Sequence, residues 1–284
     1  MKLLVFGCGY SASHFLKRHA SPFNPVVATT RGKPAAPIAS VKYLVFDGLQ
    51  PNPEIQAQLA NTRALLVSIP PNSQGDPVLS NFGADIIRAP KLDKIVYLST
   101  IGVYGDHRGD WVDETTRPAP QSARSIERLK AEESWVQLGR DGGKTVHILR
   151  LAGIYGPGQN AIENLRQGTA RRLIKPGQVF NRIHVEDIAR AVSAAFQRNG
   201  CGIWNVSDNE PAPAQDVVSY AAKLVGIKPP PEQNFDSAEI SPMARSFYGE
   251  NKRVSNRRLR EELNVQLAYP TYREGILALA KAKQ

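Results

Sequence analysis

The first pattern able to do chemistry lies at the amino terminus. In Leu4-Val5-Phe6-Gly7-Cys8-Gly9-Tyr10-Ser11-Ala12 an apolar strand former gives way to a two-glycine turn and then to a helix former. A pyrophosphate needs backbone to approach it closely, which favours residues without a Cβ. It also needs a helix N-terminus, whose free N–H groups and dipole attract negative charge. Gly7 and Gly9 meet the first need, and Ala12 fills the third position of G-x-G-x-x-G/A. The run from Gly7 through Gly9, Tyr10, Ser11 and Ala12 therefore reads as a grip on the diphosphate of a nicotinamide dinucleotide. A tight strand-to-helix turn without a ligand is the plainer alternative.

A second group stands at the ends of the following strand-like runs. Thr29-Thr30-Arg31-Gly32-Lys33 closes the second of them. A protein selective for NAD places an acidic side chain there, to bond the ribose 2′-hydroxyl. Here the place is held by Thr30 and Arg31, and a guanidinium grips a 2′-phosphate through a charge-assisted fork. NADP is expected in preference to NAD, unless Arg31 and Lys33 are ordinary loop cations. Asp47, after the third run, is placed either to accept from the adenine amino group or to cap a following helix. Ser68-Ile69-Pro70 ends the fourth run, where ligands sit in open α/β sheets, and is expected to wall adenine or ribose.

Positioning these groups takes an alternating chain. Short apolar runs at Lys2–Phe6, Pro25–Thr29, Lys42–Phe46, Ala64–Ile69, Lys94–Thr100, Thr145–Leu151 and Gly202–Val206 read as strands. Amphipathic stretches at Ser11–Ala20, Asn81–Arg88, Ser122–Gly139 and Asp187–Arg198 read as helices between them. Strands apolar throughout and separated by helices imply a parallel sheet covered on both faces. The fold class is α/β, a Rossmann-type doubly wound parallel sheet. After Leu151 a Gly- and Pro-rich stretch at Ile154–Asn160, then helices at Gln215–Val225, Ser255–Leu263 and Tyr272–Ala282, suggest a smaller C-terminal substrate lobe partly interleaved with the sheet.

Three further segments follow the glycine turn in order: Tyr97-Leu98-Ser99-Thr100-Ile101-Gly102-Val103-Tyr104-Gly105-Asp106, Leu149-Arg150-Leu151-Ala152-Gly153-Ile154-Tyr155-Gly156-Pro157-Gly158, and Arg182-Ile183-His184-Val185-Glu186-Asp187-Ile188-Ala189. The ordered set resembles the extended short-chain dehydrogenase/reductases of the NAD-dependent epimerase/dehydratase superfamily, over nearly the whole chain. The resemblance implies a dinucleotide-binding domain at 1–152 plus about 182–206. A smaller substrate lobe would take 153–181 plus 207–284. It also implies a Ser/Thr after the fifth strand, matched by Thr100 with Ser99 beside it on the cofactor, and then a Tyr-x-x-x-Lys on the next helix.

At that helix the pattern departs. Counting back from Ala131-Glu132, the tyrosine and lysine places fall on Arg124 and Arg128, so the resemblance is to an atypical branch that lacks the pair. Arginine stays protonated and does not shuttle a proton at neutral pH. Arg128 is expected either to take over ribose binding or to pair on the surface with Glu132 four residues on. Arg124 is expected to hold a substrate carboxylate or phosphate, or to polarise a carbonyl as a fixed cation, unless it too is a surface residue. A literal Tyr-x-x-x-Lys occurs at Tyr248–Lys252, with Gly and Asn inside it that suggest a loop. Tyr104 and Tyr155 match family positions near strand ends, His184 is expected to be structural or cleft-lining, and Asp187 to cap a helix.

Composition bounds the rest. The 284 residues carry 36 Lys+Arg against 26 Asp+Glu, a net charge of +10, which suits either a solvated basic surface or a funnel for anionic ligands. The basic clusters lack interleaved aromatics, so nucleic acid is not expected. Two cysteines, Cys8 and Cys201, and five scattered histidines build neither a disulfide framework nor a metal site. No run approaches the roughly 18 apolar residues of a membrane span, and a cytoplasmic protein is expected; the family resemblance implies a homodimer. Two functions compete: an NADP-dependent oxidoreductase or epimerase-like enzyme on a small or sugar-like anionic substrate, and a non-catalytic NADP-binding sensor. Thr100 and the glycine turn favour the first, and the missing Tyr/Lys pair favours the second.

Overall fold

Seven parallel strands form the central sheet of the computed structural model, which describes residues 1–34 and 36–282 apart from the side chain of Met243. Numbered along the chain, they are β1 (Leu3–Phe6), β2 (Val26–Thr30), β3 (Val41–Val45), β4 (Ala64–Val67), β5 (Lys94–Thr100), β7 (Thr145–Leu151) and β11 (Gly202–Val206). Three short pairs lie outside the sheet: β6 (Trp111–Val112) with β13 (Arg253–Val254), β8 (Gly153–Tyr155) with β10 (Arg182–His184), and β9 (Arg172–Ile174) with β12 (Glu232–Asn234).

The order is β11-β7-β5-β4-β1-β2-β3. The chain lays β2 and β3 on one side of β1, then returns to place β4 on the other, with Leu3 beside both Val26 and Ala64. This reversal opens a crevice past the carboxyl ends of β1 and β4, the place where open α/β sheets bind ligands. β1 and β4 are buried along their whole length, as strands covered on both faces must be, whereas edge strand β3 is buried only at Val41 and Leu44.

Period-two alternation splits the core. Leu3 and Val5 face α1 (Tyr10–Arg18) and α6 (Val185–Gln197) in a cluster with Phe15, Phe196 and Trp204. Leu4 and Phe6 face the opposite layer, α2 (Pro53–Leu59), α3 (Pro77–Arg88) and α4 (Ala123–Gly142), and pack with Phe46, Phe82 and Trp135. A third cluster joins α5 (Ala161–Arg166), α7 (Ala214–Val225) and α10 (Tyr272–Lys281) through Ile162, Val217, Tyr272 and Ile276. The short helices α8 (Pro242–Phe247) and α9 (Arg257–Glu261) complete the chain.

Capping chemistry explains where the elements differ from the periodicity. α3 starts at Pro77, four residues before the expected Asn81, because Asp76 accepts from the Val78 and Leu79 N–H groups and Pro77 fits the first helical position. α2 escaped the pattern because it is two turns long, although Asn52 caps it ahead of Pro53. Asp47 therefore caps no helix; it accepts from the Leu49 N–H in a tight turn. Asp187 does not cap α6 either. His184 is the cap, its Nδ1 accepting from Glu186 N–H, while Asp187 is buried and accepts from Ala268 and Tyr269 N–H. Burial holds the His184 imidazole near pKa 4, so it serves as a neutral acceptor. Among the described residues, no helix is long and apolar enough to cross a membrane, and no cluster of His, Cys, Asp and Glu is arranged to hold a metal.

One hydrogen-bonded clamp holds the glycine-turn helix. Glu186 on α6 accepts from His14 Nε2 (2.9 Å) and His19 Nε2 (2.8 Å), with Arg190 at 3.5 Å, so α1 is fastened along its length. Burial works against the Glu186 charge, but the two imidazole hydrogen bonds outweigh it and hold the carboxyl below its ordinary range. A depressed carboxyl stabilises above its unfolded pKa and loses that contribution as pH falls through the folded value. Glu186→Gln is expected to cost about 1 kcal/mol, ~2 °C in Tm, at pH 7. In thermal melts across pH the difference should vanish below the ordinary glutamate range. A gap that persists at low pH would show that Glu186 acts through packing.

Candidate active site

The nucleotide-side cleft lies at the carboxyl ends of β1, β2 and β4 and encloses about 620 Å³. Gly7, Cys8, Gly9, Thr30, Arg31, Lys33, Asp47, Ser68, Ile69 and Pro70 all line it. Gly7 takes φ +89°, and a Cβ there would fall 2.8 Å from Ile69 Cγ1 and 3.2 Å from its backbone nitrogen, so the turn is pressed against the end of β4. Gly9 differs: a Cβ there would meet no described atom within 4 Å. Gly9 is also the N-cap of α1 with no side chain on its free N–H groups and no acidic residue in the first turn. An open, uncapped helix N-terminus behind a bare backbone fits a diphosphate. Ala12 is fully buried against the sheet, which is the close helix–strand packing its position calls for.

The remaining nucleotide-side residues divide by what holds them. Arg31 is exposed with no partner among the described residues, leaving its fork free toward the cleft. Thr30 turns its hydroxyl to the Gly32 carbonyl and shapes the loop that carries Arg31. Tyr10 reaches away from the turn: its hydroxyl donates to the Pro157 carbonyl at 3.1 Å, which leaves only its backbone for a phosphate.

A second cavity of about 510 Å³ opens beside the first, and Ser68 lines both. Ser11, Ser99, Thr100, Arg124 and Arg128 line it together with the ends of β5 and β7. The two arginines four residues apart on α4 are thus brought to one cavity, but they are held differently. Arg128 Nη1 donates to the Tyr97 hydroxyl (3.0 Å) and the Leu98 carbonyl (2.9 Å), so it is anchored on β5. Arg124 is exposed, with no partner among the described residues. Thr100 Oγ1 accepts from Gly102 N–H, and Ser125 is buried against Gly102 from α4.

Behind Ser99 on the cavity wall lies a buried ion pair. Arg150 on β7 meets Glu132 on α4 through Nε and Nη2, the shorter contact at 2.7 Å, and both side chains are nearly fully buried. Glu132 is therefore not the surface partner of Arg128 that helical spacing suggested. Ser99 donates its hydroxyl proton to the same carboxylate, so the cavity wall is braced on this pair. Tyr104 lies under the Arg150 guanidinium and donates to Asn205 Oδ1, with burial pushing its phenol pKa up. Tyr155 is buried too, its phenol pushed far up by burial. Neither tyrosine lines the cavity.

Sequence reasoning passed over Glu250 and set Lys252 aside within a loop-like Tyr-x-x-x-Lys. Both line the cavity, and Lys252 is the lysine of the literal Tyr-x-x-x-Lys, arriving without its tyrosine. Tyr248 instead stacks on Phe235. The spacing did mark the lysine; only a three-dimensional return of the chain brings it to α4.

The two glycines give a direct test. Gly9→Val is expected to leave stability within about 1 kcal/mol, while nicotinamide dinucleotide affinity falls about tenfold or more. Gly7→Ala is expected to cost about 1–3 kcal/mol through its positive φ and the press on Ile69. Urea unfolding and fluorescence titration separate the two effects, and retained affinity in Gly9→Val would contradict the diphosphate reading of the turn.

The model of the NAD dependent epimerase/dehydratase family matches residues 84–207. Protein YeeZ of Escherichia coli K12 is 32% identical over 192 residues, 66% of this chain; the chain spans 62% of that relative's length. A 3-diazoavenalumate denitrifying reductase of Streptomyces sp is 27% identical over 169 residues, 55% of this chain and 51% of the reductase. The solved structure of a conserved protein of unknown function from Silicibacter pomeroyi DSS is 44% identical, covers 100% of this chain and 99% of its own, and has a TM-score of 0.88. With the glycine turn, the seven-stranded parallel sheet and the ordered motifs along it, the chain belongs to the NAD-dependent epimerase/dehydratase superfamily.

Proposed function

We propose that the chain is an NADP-dependent oxidoreductase, or an epimerase-like enzyme, acting on a small anionic substrate. The observation that carries this reading is a pair of adjoining clefts that share Ser68, with Arg31 in one and Arg124 in the other, neither partnered among the described residues. Arg31, with Lys33 nearby, suits a ribose 2′-phosphate; Arg124 suits a carboxylate or phosphate on the substrate. Gly7, Gly9 and the N-terminus of α1 would hold the diphosphate, and Arg128, from its anchor on β5, the nicotinamide ribose. When bound, the nicotinamide supplies or takes a hydride. Thr100 orients the reacting oxygen, with its hydroxyl at the end of β5 on the wall that Arg124 and Arg128 share. The segments 153–181 and 207–284, whose last two residues lie outside those described, make the substrate side.

The Streptomyces relative is a reductase, which supports hydride chemistry for this site. The competing reading, a sensor that binds NADP without turning over, shares the first cleft and differs only in the second.

Arg31→Ala tests the cofactor assignment. In fluorescence titrations NADPH affinity is expected to fall about tenfold or more, the worth of one charge-assisted pair, with NADH affinity within about twofold of the parent. Equal losses for the two nucleotides would remove the basis for choosing NADP.

A further inference from the structure

Among the described residues lining the second cavity, Arg124 and Arg128 cannot give up a proton at neutral pH, and the hydroxyls of serine and threonine are weaker acids still. Two groups remain that exchange protons readily. Lys252 is 5% exposed, and its Nζ donates to Glu250 Oε2 at 2.6 Å and to the Gly105 carbonyl at 2.6 Å. An ammonium has three donors, so one is left for a ligand.

The backbone carrying this pair is fixed from several sides. The Glu250 carbonyl accepts from Gln178 Nε2 (2.8 Å), and the Lys252 carbonyl from Asn181 Nδ2 (2.9 Å). Between them, Asn251 N–H donates to Asp106 Oδ1 (2.8 Å), and its carbonyl accepts from the N–H groups of His107 and Gly109. A buried ammonium standing on a braced loop at a cavity wall is the kind of support a reacting group needs. A lysine placed only to tie the loop down would need neither a cavity face nor a carboxylate partner that is itself on the cavity wall.

We propose that Lys252, positioned by Glu250, is the proton-transferring catalytic residue of this cavity, in the place of the tyrosine that the α4 pattern lacks. The assignment rests on the oxidoreductase reading above. In the direction of carbonyl reduction, a reduced nicotinamide would supply hydride to the carbonyl carbon and end oxidised, and the C=O π pair moves to oxygen. The Lys252 N–H bond breaks as the new O–H bond forms, giving the alcohol and a neutral amine. The amine regains its proton from solvent by way of Glu250, whose side chain is 19% exposed. Oxidation of an alcohol runs the same proton path backwards.

Two probes and two variants test this. 4-Nitrophenolate, an oxyanion that needs no turnover, is titrated by absorbance into the full chain with and without NADPH; 4-nitrobenzaldehyde with NADPH reports reduction. Lys252→Arg keeps charge and hydrogen bonding, so phenolate affinity should stay within about threefold while aldehyde reduction falls about 100-fold or more. Lys252→Met should lower phenolate affinity about tenfold as well. NADPH binding should stay within about twofold in both. Undiminished reduction by Lys252→Arg, or undiminished phenolate affinity in folded Lys252→Met, overturns the assignment. Where the parent chain does not reduce the aldehyde, the phenolate titration decides alone. Failure of the parent to bind NADPH would count against the cofactor reading, since phenolate binding is measured without nucleotide too.

Discussion

The Glu132–Arg150 ion pair is the constraint on which the cavity depends. Two charges taken out of water this completely are costly unless geometry and hydrogen bonding compensate, and removing one partner of such a pair costs about 3–5 kcal/mol. Here the carboxylate receives the Nε–Nη2 edge of the guanidinium and the Ser99 hydroxyl, and the guanidinium lies over the Tyr104 ring. One interaction therefore joins β7 to α4, and both to the residue before Thr100. The arginines of α4 reach the cavity because this pair and the Arg128 contacts on Tyr97 and Leu98 settle the helix against β5 and β7. It also sets how Tyr104 is used. In this chain that phenol is committed to Asn205 beneath a guanidinium, which leaves proton chemistry to groups arriving from elsewhere.

The second constraint is the reversal of strand order at β1. It alone places Gly7–Gly9 and Ser68–Pro70 side by side, and the two glycines are needed for opposite reasons. Gly7 lacks a side chain because the protein is too close, Gly9 where the space in front is empty. A turn that served packing alone would explain the first but not the second. The clamp of His14 and His19 on Glu186 then fastens the helix that begins there to α6, so the open N-terminus stands on a helix tied to the core.

Much of this was legible in the sequence, and the misses have physical causes. The buried strands announced themselves as unbroken apolar runs because a parallel sheet hides both faces. α2 and α5 went unread because two turns of helix carry too little periodicity, and only their asparagine caps marked them. Spacing of four on α4 suggested that Arg128 meets Glu132, yet the carboxylate turns inward to Arg150, eighteen residues away on β7. Tertiary pairing of a buried charge overrides helical proximity, and local spacing has no access to it. His184 took the capping role that its neighbour Asp187 seemed fit for, since burial keeps the imidazole neutral and able to accept. Lys252 was visible as a residue type and invisible as a cavity wall, because the loop contacts that deliver it join segments as far apart as Gly105 and Asn181.

Hydrogen–deuterium exchange of the full chain with and without NADPH tests the central claim most directly. The account predicts slowed exchange at residues 7–13, 29–33 and 68–69, with weaker protection at 98–102 on the wall of the second cleft. Unchanged exchange at the glycine turn under saturating NADPH, or protection centred elsewhere on the chain, would contradict it.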